Sequence, residues 1–288
     1  MTAVATESRS ARRSDPLTGA HVNFARVLRS EWIKLISLRS TAWTLAMTVV
    51  VMTGFAMLSI WSVTQFVNNP EMMGGAEGAE AAGIGTDSVS LATAIASGYV
   101  MAQIVVAVLG VLVISGEYST GQIRSTVAAV PTRFPVLAAK GVLVAAVSFI
   151  VGAVGIAASV LATAPMLSSI DLTLDLSDGE TIRVLLGAPL YLAAIALLAL
   201  GFGALLRHAA GGIATVLGLL IVLPALSFIP LDWMADIAPY FPGAAGERIV
   251  GIDNPGQALT PWQGYGVLGI YVVVVLAAAA VLLRRRDA

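Results

Sequence analysis

GVLVAAVSFIVGAVGIAASVLATAPM, residues Gly141–Met166, contains no Asp, Glu, Lys or Arg. As a helix rising 1.5 Å per residue it is roughly 39 Å long, enough for a ~30 Å hydrocarbon core with some tilt. Inside lipid, backbone polar groups must be satisfied by a helix or a closed barrel. The run is continuously apolar and lacks the alternation of a barrel strand, so it is read as a helix.

Five more stretches read the same way: Thr41–Val63, Ser90–Ser115, Val184–Leu206, Gly211–Ile229 and Tyr265–Leu283, all free of Asp, Glu, Lys and Arg. The fold class expected is an all-α polytopic membrane protein with six transmembrane helices. Charged residues make up 11% of the chain, against about 25% in a soluble domain. The 288 residues leave no room for a large soluble domain beside six spans. Residues 1–20 are expected to be a disordered cytoplasmic arm, residues 21–40 an amphipathic entry helix, and residues 41–288 the six-helix membrane domain.

Lys and Arg give the orientation, because they concentrate in cytoplasmic links. Six spans put both termini on one side. That side holds Arg9, Arg12, Arg13, Arg26, Arg29, Lys34, Arg39, Arg124, Arg133, Lys140, Arg207, Arg284, Arg285 and Arg286. Only Arg183 and Arg248 fall opposite, among acids such as Asp87, Asp178 and Glu247. The termini are therefore expected to be cytoplasmic.

Two segments beside the spans carry structure of their own. In His21–Arg39, the apolar residues Phe24, Val27, Leu28, Trp32, Leu35 and Ile36 recur at helical spacing among Arg and Lys. This is the pattern of an interfacial helix lying on anionic lipid. Glu31 and Lys34 are three residues apart and are placed to pair. In Gly116–Phe134, Ile123, Val127, Val130 and Phe134 form a helical stripe. Ser115 is expected to cap its start, Glu117 to lie in its first turn, and Pro131 to end it. The link Pro230–Gln263 mixes Pro with Trp233, Tyr240, Phe241 and Trp262 and is expected to form short helices dipping into the outer leaflet.

Several chemistries are excluded. There is no Cys, and His21 and His208 are the only histidines. That rules out disulfides and thiol chemistry, and leaves no metal site to expect. Lys34 and Lys140 are the only lysines, and neither follows a phosphate-binding glycine loop. No H-E-x-x-H or G-x-S-x-G motif is present, so an enzyme is not expected. The spans carry no ionisable side chain, which argues against an ion-coupled carrier. Pro189 and Pro224 mark kinks or helix breaks. Gly155, Ser159 and Thr163 form a small-residue ladder for close packing, within the chain or against a second subunit.

RSEWIKLISLRST at Arg29–Thr41 and GEYSTGQIRSTVAAVPTRFPVLAAK at Gly116–Lys140 resemble the entry helix and the cytoplasmic coupling segment of bacterial ABC-2 type transporter permeases. PYFPGAAG at Pro239–Gly246, Pro261–Trp262 and the terminal RRRDA are similar to the family's last outer loop and tail. Gln122 departs from the small hydroxyl residue expected there. The resemblance implies a permease subunit of the bacterial cytoplasmic membrane that exports a hydrophobic or amphipathic compound. It implies a homo- or heterodimer with a second permease subunit, and separate ATPase subunits that bind ATP and Mg. No nucleic-acid partner is expected. Glu117, Tyr118, Gly121, Gln122 and Arg124 are the implied ATPase contacts, with Glu31, Lys34 and Arg39 at the entry-helix interface. Glu117 is also readable as a helix-dipole acid, and Arg124 as a topology determinant. The alternatives are a stand-alone secondary carrier, or a membrane immunity or scaffold protein.

Overall fold

Acidic residues in the links start two of the helices. Asp87 accepts the Ser90 N–H at 3.1 Å, and Asp178 accepts the Thr181 N–H at 2.9 Å. Each satisfies an otherwise orphaned donor of a first turn. The hydrogen bonds from Ser90 to Asp87, and from Thr181 to Asp178, hold both carboxyls below the ordinary aspartate value.

The computed structural model describes residues 23–37, 39–69, 71, 78, 85–121, 134–226, 232–254 and 256–285, with the backbone alone for 39, 232, 284 and 285. The elements are α1 (Phe24–Ser37), α2 (Arg39–Asn68), α3 (Ser88–Ala96), α4 (Tyr99–Ser119), α5 (Phe134–Ser168), α6 (Gly179–Leu206), α7 (Ala209–Ala225), α8 (Asp232–Ile237), α9 (Pro242–Glu247) and α10 (Pro261–Arg285). All regular structure among the described residues is helical. The arm over residues 1–20 lies outside them.

Five helical stretches are long and apolar enough to cross a membrane: Ser40–Asn68, Ser88–Ser119, Phe134–Ser168, Gly179–Leu206 and Pro261–Leu283. The sixth apolar stretch is the shorter α7, roughly 26 Å at 1.5 Å per residue. Its turn Gly218–Val222 is a π-helix directly before Pro224. Proline lacks an N–H and crowds the carbonyl four residues back, and the wider turn accommodates it.

α6 is the central helix. Its most apolar stretch is 78% buried, against 28% for those of α2 and α10. It runs unbroken through Pro189. Around it, helices meet where side chains are smallest. A Cβ on Gly110 of α4 would lie 2.5 Å from the Ala196 carbonyl oxygen of α6. A Cβ on Gly201 of α6 would lie 2.6 Å from Val275 of α10. The Gly155–Ser159–Thr163 ladder is buried inside the chain. A Cβ on Gly155 would lie 2.6 Å from the Met52 sulfur of α2. The Ser159 and Thr163 hydroxyls each donate to the carbonyl four residues back, at 2.8 Å. Gly155 of the ladder thus serves the α2–α5 packing.

The outer faces of α2 and α10 are apolar, with Trp43, Val50, Leu58 and Trp61 on one and Ile270, Val273 and Val274 on the other, all exposed. Such a surface is matched to lipid rather than water. The chain is an all-helical, membrane-embedded protein.

Gly110→Val is expected to destabilise the detergent-solubilised protein by about 1–3 kcal/mol, because it wedges α4 from α6. Gly54→Ala, where nothing lies within 4 Å, is expected to be neutral or to stabilise by up to about 1 kcal/mol. Denaturant midpoints of the two variants check both.

Candidate functional site

A carboxylate lies in the apolar stripe of α1. Asn23 accepts the Ala25 N–H at 3.3 Å at the helix start. Val27, Glu31 and Leu35 then follow at four-residue spacing and form the buried face. Phe24, Trp32 and Ile36 are exposed on another face. The α1 stripe packs on the start of α5, where Val136 and Ala139 meet Val27. Burying this face carries Glu31 in with it, to 3% exposure.

Three more charges meet it there. Lys34 lies one turn further along α1, Glu117 in the last turn of α4, and Lys140 near the start of α5. The Lys140 ammonium donates to Glu31 Oε2 at 2.5 Å and to Glu117 Oε1 at 2.9 Å. The Lys34 ammonium donates to Glu31 Oε1 at 2.7 Å and to Glu117 Oε1 at 2.8 Å. Each carboxylate is therefore shared by two ammoniums, and the four formal charges cancel. Glu117 and Lys140 are as deeply buried as Glu31, while Lys34 is one-third exposed. Burial acts against the charge of Lys34. The hydrogen bonds and charges of Glu117 and Glu31 outweigh it and hold the ammonium above the ordinary lysine value. Glu117 Oε2 is buried with no hydrogen-bond partner among the described residues. A cavity of about 200 Å³ adjoins the cluster, lined by Leu35, Thr41 and Gly116 beside the charges.

This arrangement pins α1 to the end of α4 and the start of α5. Among the described residues, no group of three or more His, Cys, Asp and Glu is placed to hold a metal. The four charges form a neutral clasp in low dielectric, strong while complete and costly when a member is removed.

The expected site residues fall in different places. Glu31 and Lys34 pair, and Glu117 joins them from α4. Glu117 is not in the first turn of a new helix. α4 runs on through Ser119, and the Ser115 hydroxyl donates to the Val111 carbonyl at 2.9 Å instead of capping. The turn closes at Gly121, whose φ of 70° suits a residue without Cβ. Tyr118 is half-buried beside Ile114 and Leu200, with the Arg207 guanidinium 5.2 Å above its ring. That stacking ties the end of α6 to the end of α4. Gln122, Arg124 and the stripe from Ile123 to Val130 lie outside the described residues, as does the side chain of Arg39. Lys140, not among the expected site residues, is the fourth member.

A second polar cluster occupies the opposite end of α4. The Tyr191 hydroxyl donates to Gln103 Oε1 at 2.6 Å, both fully or nearly buried. The Tyr99 ring meets Tyr191 edge-on at 5.4 Å. Glu247, at the end of α9, packs down onto Gln103 and Tyr191. Burial pushes its carboxyl above the ordinary glutamate value, and the polar side chains of Gln103 and Tyr191 beside it offset that only in part. Arg183 is 8% exposed and fastens α6 to the segment after α9. It donates to the Ile249 carbonyl at 2.8 Å, to the Gly251 carbonyl at 3.0 Å and to Glu180 at 2.6 Å. The expected short helices of the 230–263 link are α8 and α9, with Trp233 and Tyr240 exposed.

A carboxyl raised in the folded state contributes stability in full below its unfolded pKa, and loses it as pH rises through the folded value. Glu247→Gln is therefore expected to stabilise the protein at neutral pH and to match the parent in mild acid. Thermal midpoints of the two proteins across that pH window check the sign.

Comparison with protein-family models, with characterised proteins and with solved structures found no match.

Proposed function

We propose that the chain is the membrane-spanning permease subunit of an ATP-driven, ABC-2 type transporter of a bacterial cytoplasmic membrane. In this reading six spans, α7 among them, place both termini and α1 at the cytoplasmic face. A second permease subunit completes the pathway. Separate ATPase subunits bind ATP and Mg and dock at the segment joining α4 to α5. The exported compound is hydrophobic or amphipathic, in keeping with an interior of small and apolar side chains.

The observation that carries the reading is the four-charge clasp. It binds a surface helix to the two membrane helices that flank the 122–133 segment. A push on that segment or on α1 is thereby delivered to α4 and α5 together. Through the packing at Gly110 it also reaches α6. A passive gate worked by an outside motor needs such a rigid junction. The test is purification of the tagged chain from its own membranes in mild detergent. Vanadate-sensitive ATP hydrolysis is expected to accompany it, carried by a separate P-loop protein. A preparation that never carries this activity counts against the reading.

Glu247 favours one second reading. It is a carboxyl from outside the spans that packs against two of them, and a proton-coupled carrier would use such a group. That reading requires transport driven by a pH gradient alone and abolished by Glu247→Gln.

A further inference from the structure

A cavity of about 630 Å³ opens beside α9, at the end of α4 opposite the charge clasp. Tyr99, Ala238, Pro239, Ala244 and Leu259 line it together with Glu247. Sites of about 300–1,000 Å³ hold small organic ligands. Glu247 is partly exposed and forms no ion pair among the described residues. Its polar neighbours Gln103 and Tyr191 carry no charge. The Tyr191 hydroxyl donates to Gln103 Oε1 at 2.6 Å, and so has no second proton for the carboxylate. Glu247 is thus a carboxylate on an apolar wall, short of a counter-charge.

Arg248 borders the same space without supplying that charge. Its stem is held under α10, where a Cβ on Gly264 would come within 2.8 Å of the Arg248 Cβ and Cγ. Its Nε and Nη2 are buried, so that edge of the guanidinium does not face the cavity. The charges acting on it are those of Asp253 and Arg183. A metal ion does not suit the site either. Hard cations take about six or more oxygen ligands, and among the described residues no group of three or more His, Cys, Asp and Glu is placed to hold one. The Ala, Pro and Leu walls suit a hydrocarbon body instead. Tyr99 adds an aromatic ring, a surface that attracts ammonium groups.

We propose that this cavity binds an amphipathic organic cation, its ammonium on the Glu247 carboxylate and its hydrocarbon body against the Ala, Pro and Leu walls. The site is a property of the chain alone and does not depend on the transport reading. The ligand supplies the positive charge that the fold leaves out, and a charge-assisted hydrogen bond in a partly buried place is a strong one. The apolar lining selects a compound with a hydrophobic body over a bare ammonium ion.

The test is calorimetric titration of the purified chain in phosphatidylcholine nanodiscs, with the heats on empty nanodiscs subtracted. The probes are 4-phenylbutylamine, the neutral 4-phenylbutanol and the anionic 4-phenylbutyrate, in mildly alkaline buffer that keeps Glu247 ionised. The amine is expected to bind at least about tenfold more tightly than the alcohol, and the anion more weakly than either. Glu247→Gln keeps the shape of the side chain and removes its charge. It is expected to erase the preference for the amine while the alcohol binds as before, and its unliganded thermal midpoint shows that it is folded. Arg248→Gln is expected to keep the preference. Ala244→Phe, which fills the cavity and leaves Glu247 in place, is expected to abolish binding of the amine. Adding phosphatidylethanolamine to the nanodiscs separates two sources of the ammonium. Competition with the amine assigns it to a lipid headgroup, and unchanged binding assigns it to a free solute. Equal affinity for amine and alcohol in the parent, tighter binding of the anion, or a preference that survives Glu247→Gln overturns the proposal.

Discussion

Lys140→Met is expected to destabilise the protein by about 3–5 kcal/mol, the cost of leaving a buried charge unpaired. The substitution keeps the length of the side chain and removes its charge. Glu31 and Glu117 then share only Lys34, and the cluster carries a net negative charge in a buried space. Lys34→Met is expected to cost less, because Lys34 is one-third exposed and water makes up part of what is lost. The double variant Lys140→Met with Glu31→Gln restores neutrality and leaves the Lys34–Glu117 pair whole. It is expected to recover a large part of the loss, with a coupling energy of about 1–3 kcal/mol between the two sites. Denaturant titration of the four proteins in one detergent gives the cycle. Additive losses would mean that the four charges do not act as one clasp.

Arg183→Met is the second large effect, at about 3 kcal/mol. Arg183 crosses from α6 to the segment that follows α9. Without it the Ile249 and Gly251 carbonyls lose their side-chain donor, and the segment carrying Glu247 and Arg248 is released from α6. Lysine is expected to rescue little, since a single ammonium does not reproduce a planar fork reaching two carbonyls and a carboxylate. The stability loss is measured as for Lys140. A variant as stable as the parent would show that the loop is held by apolar packing at Ile249 and Val250 alone.

The membrane helices were legible because lipid demands long apolar runs, and such runs have no other stable form. Their ends were less so. Hydropathy starts the third span at Gly141, whereas α5 begins at Phe134. Hydropathy marks where side chains turn apolar, and helical hydrogen bonding continues through Lys140 and its neighbours. The second apolar stretch carries a turn at Ser97–Gly98, where the α2 backbone at Met52 leaves no room for a Cβ on Gly98. No local pattern encodes that approach. The Glu31–Lys34 pair was visible from its three-residue spacing. Lys140 was not, being 109 residues from Glu31 and 23 from Glu117. One signal was available: a chain with only two lysines, each at a span boundary, places both where an acid from another helix can reach. Glu247 and Arg248 read as ordinary loop charges. Only the turn of α9 back onto Gln103 and Tyr191 reveals what they face.

The most direct measurement is ATP turnover in liposomes holding the purified chain with and without the ATPase subunit proposed for it. Alone, the chain is expected to be inert. With the ATPase, vanadate-sensitive hydrolysis coupled to export of an amphipathic dye is expected. In the charge-neutral variant Glu117→Gln with Lys140→Met, hydrolysis should persist while export falls at least about tenfold, once assembly is shown to be intact. Uphill export by the chain alone, or undiminished export by the double variant, would contradict the proposal that a clasped gate is driven by an outside motor.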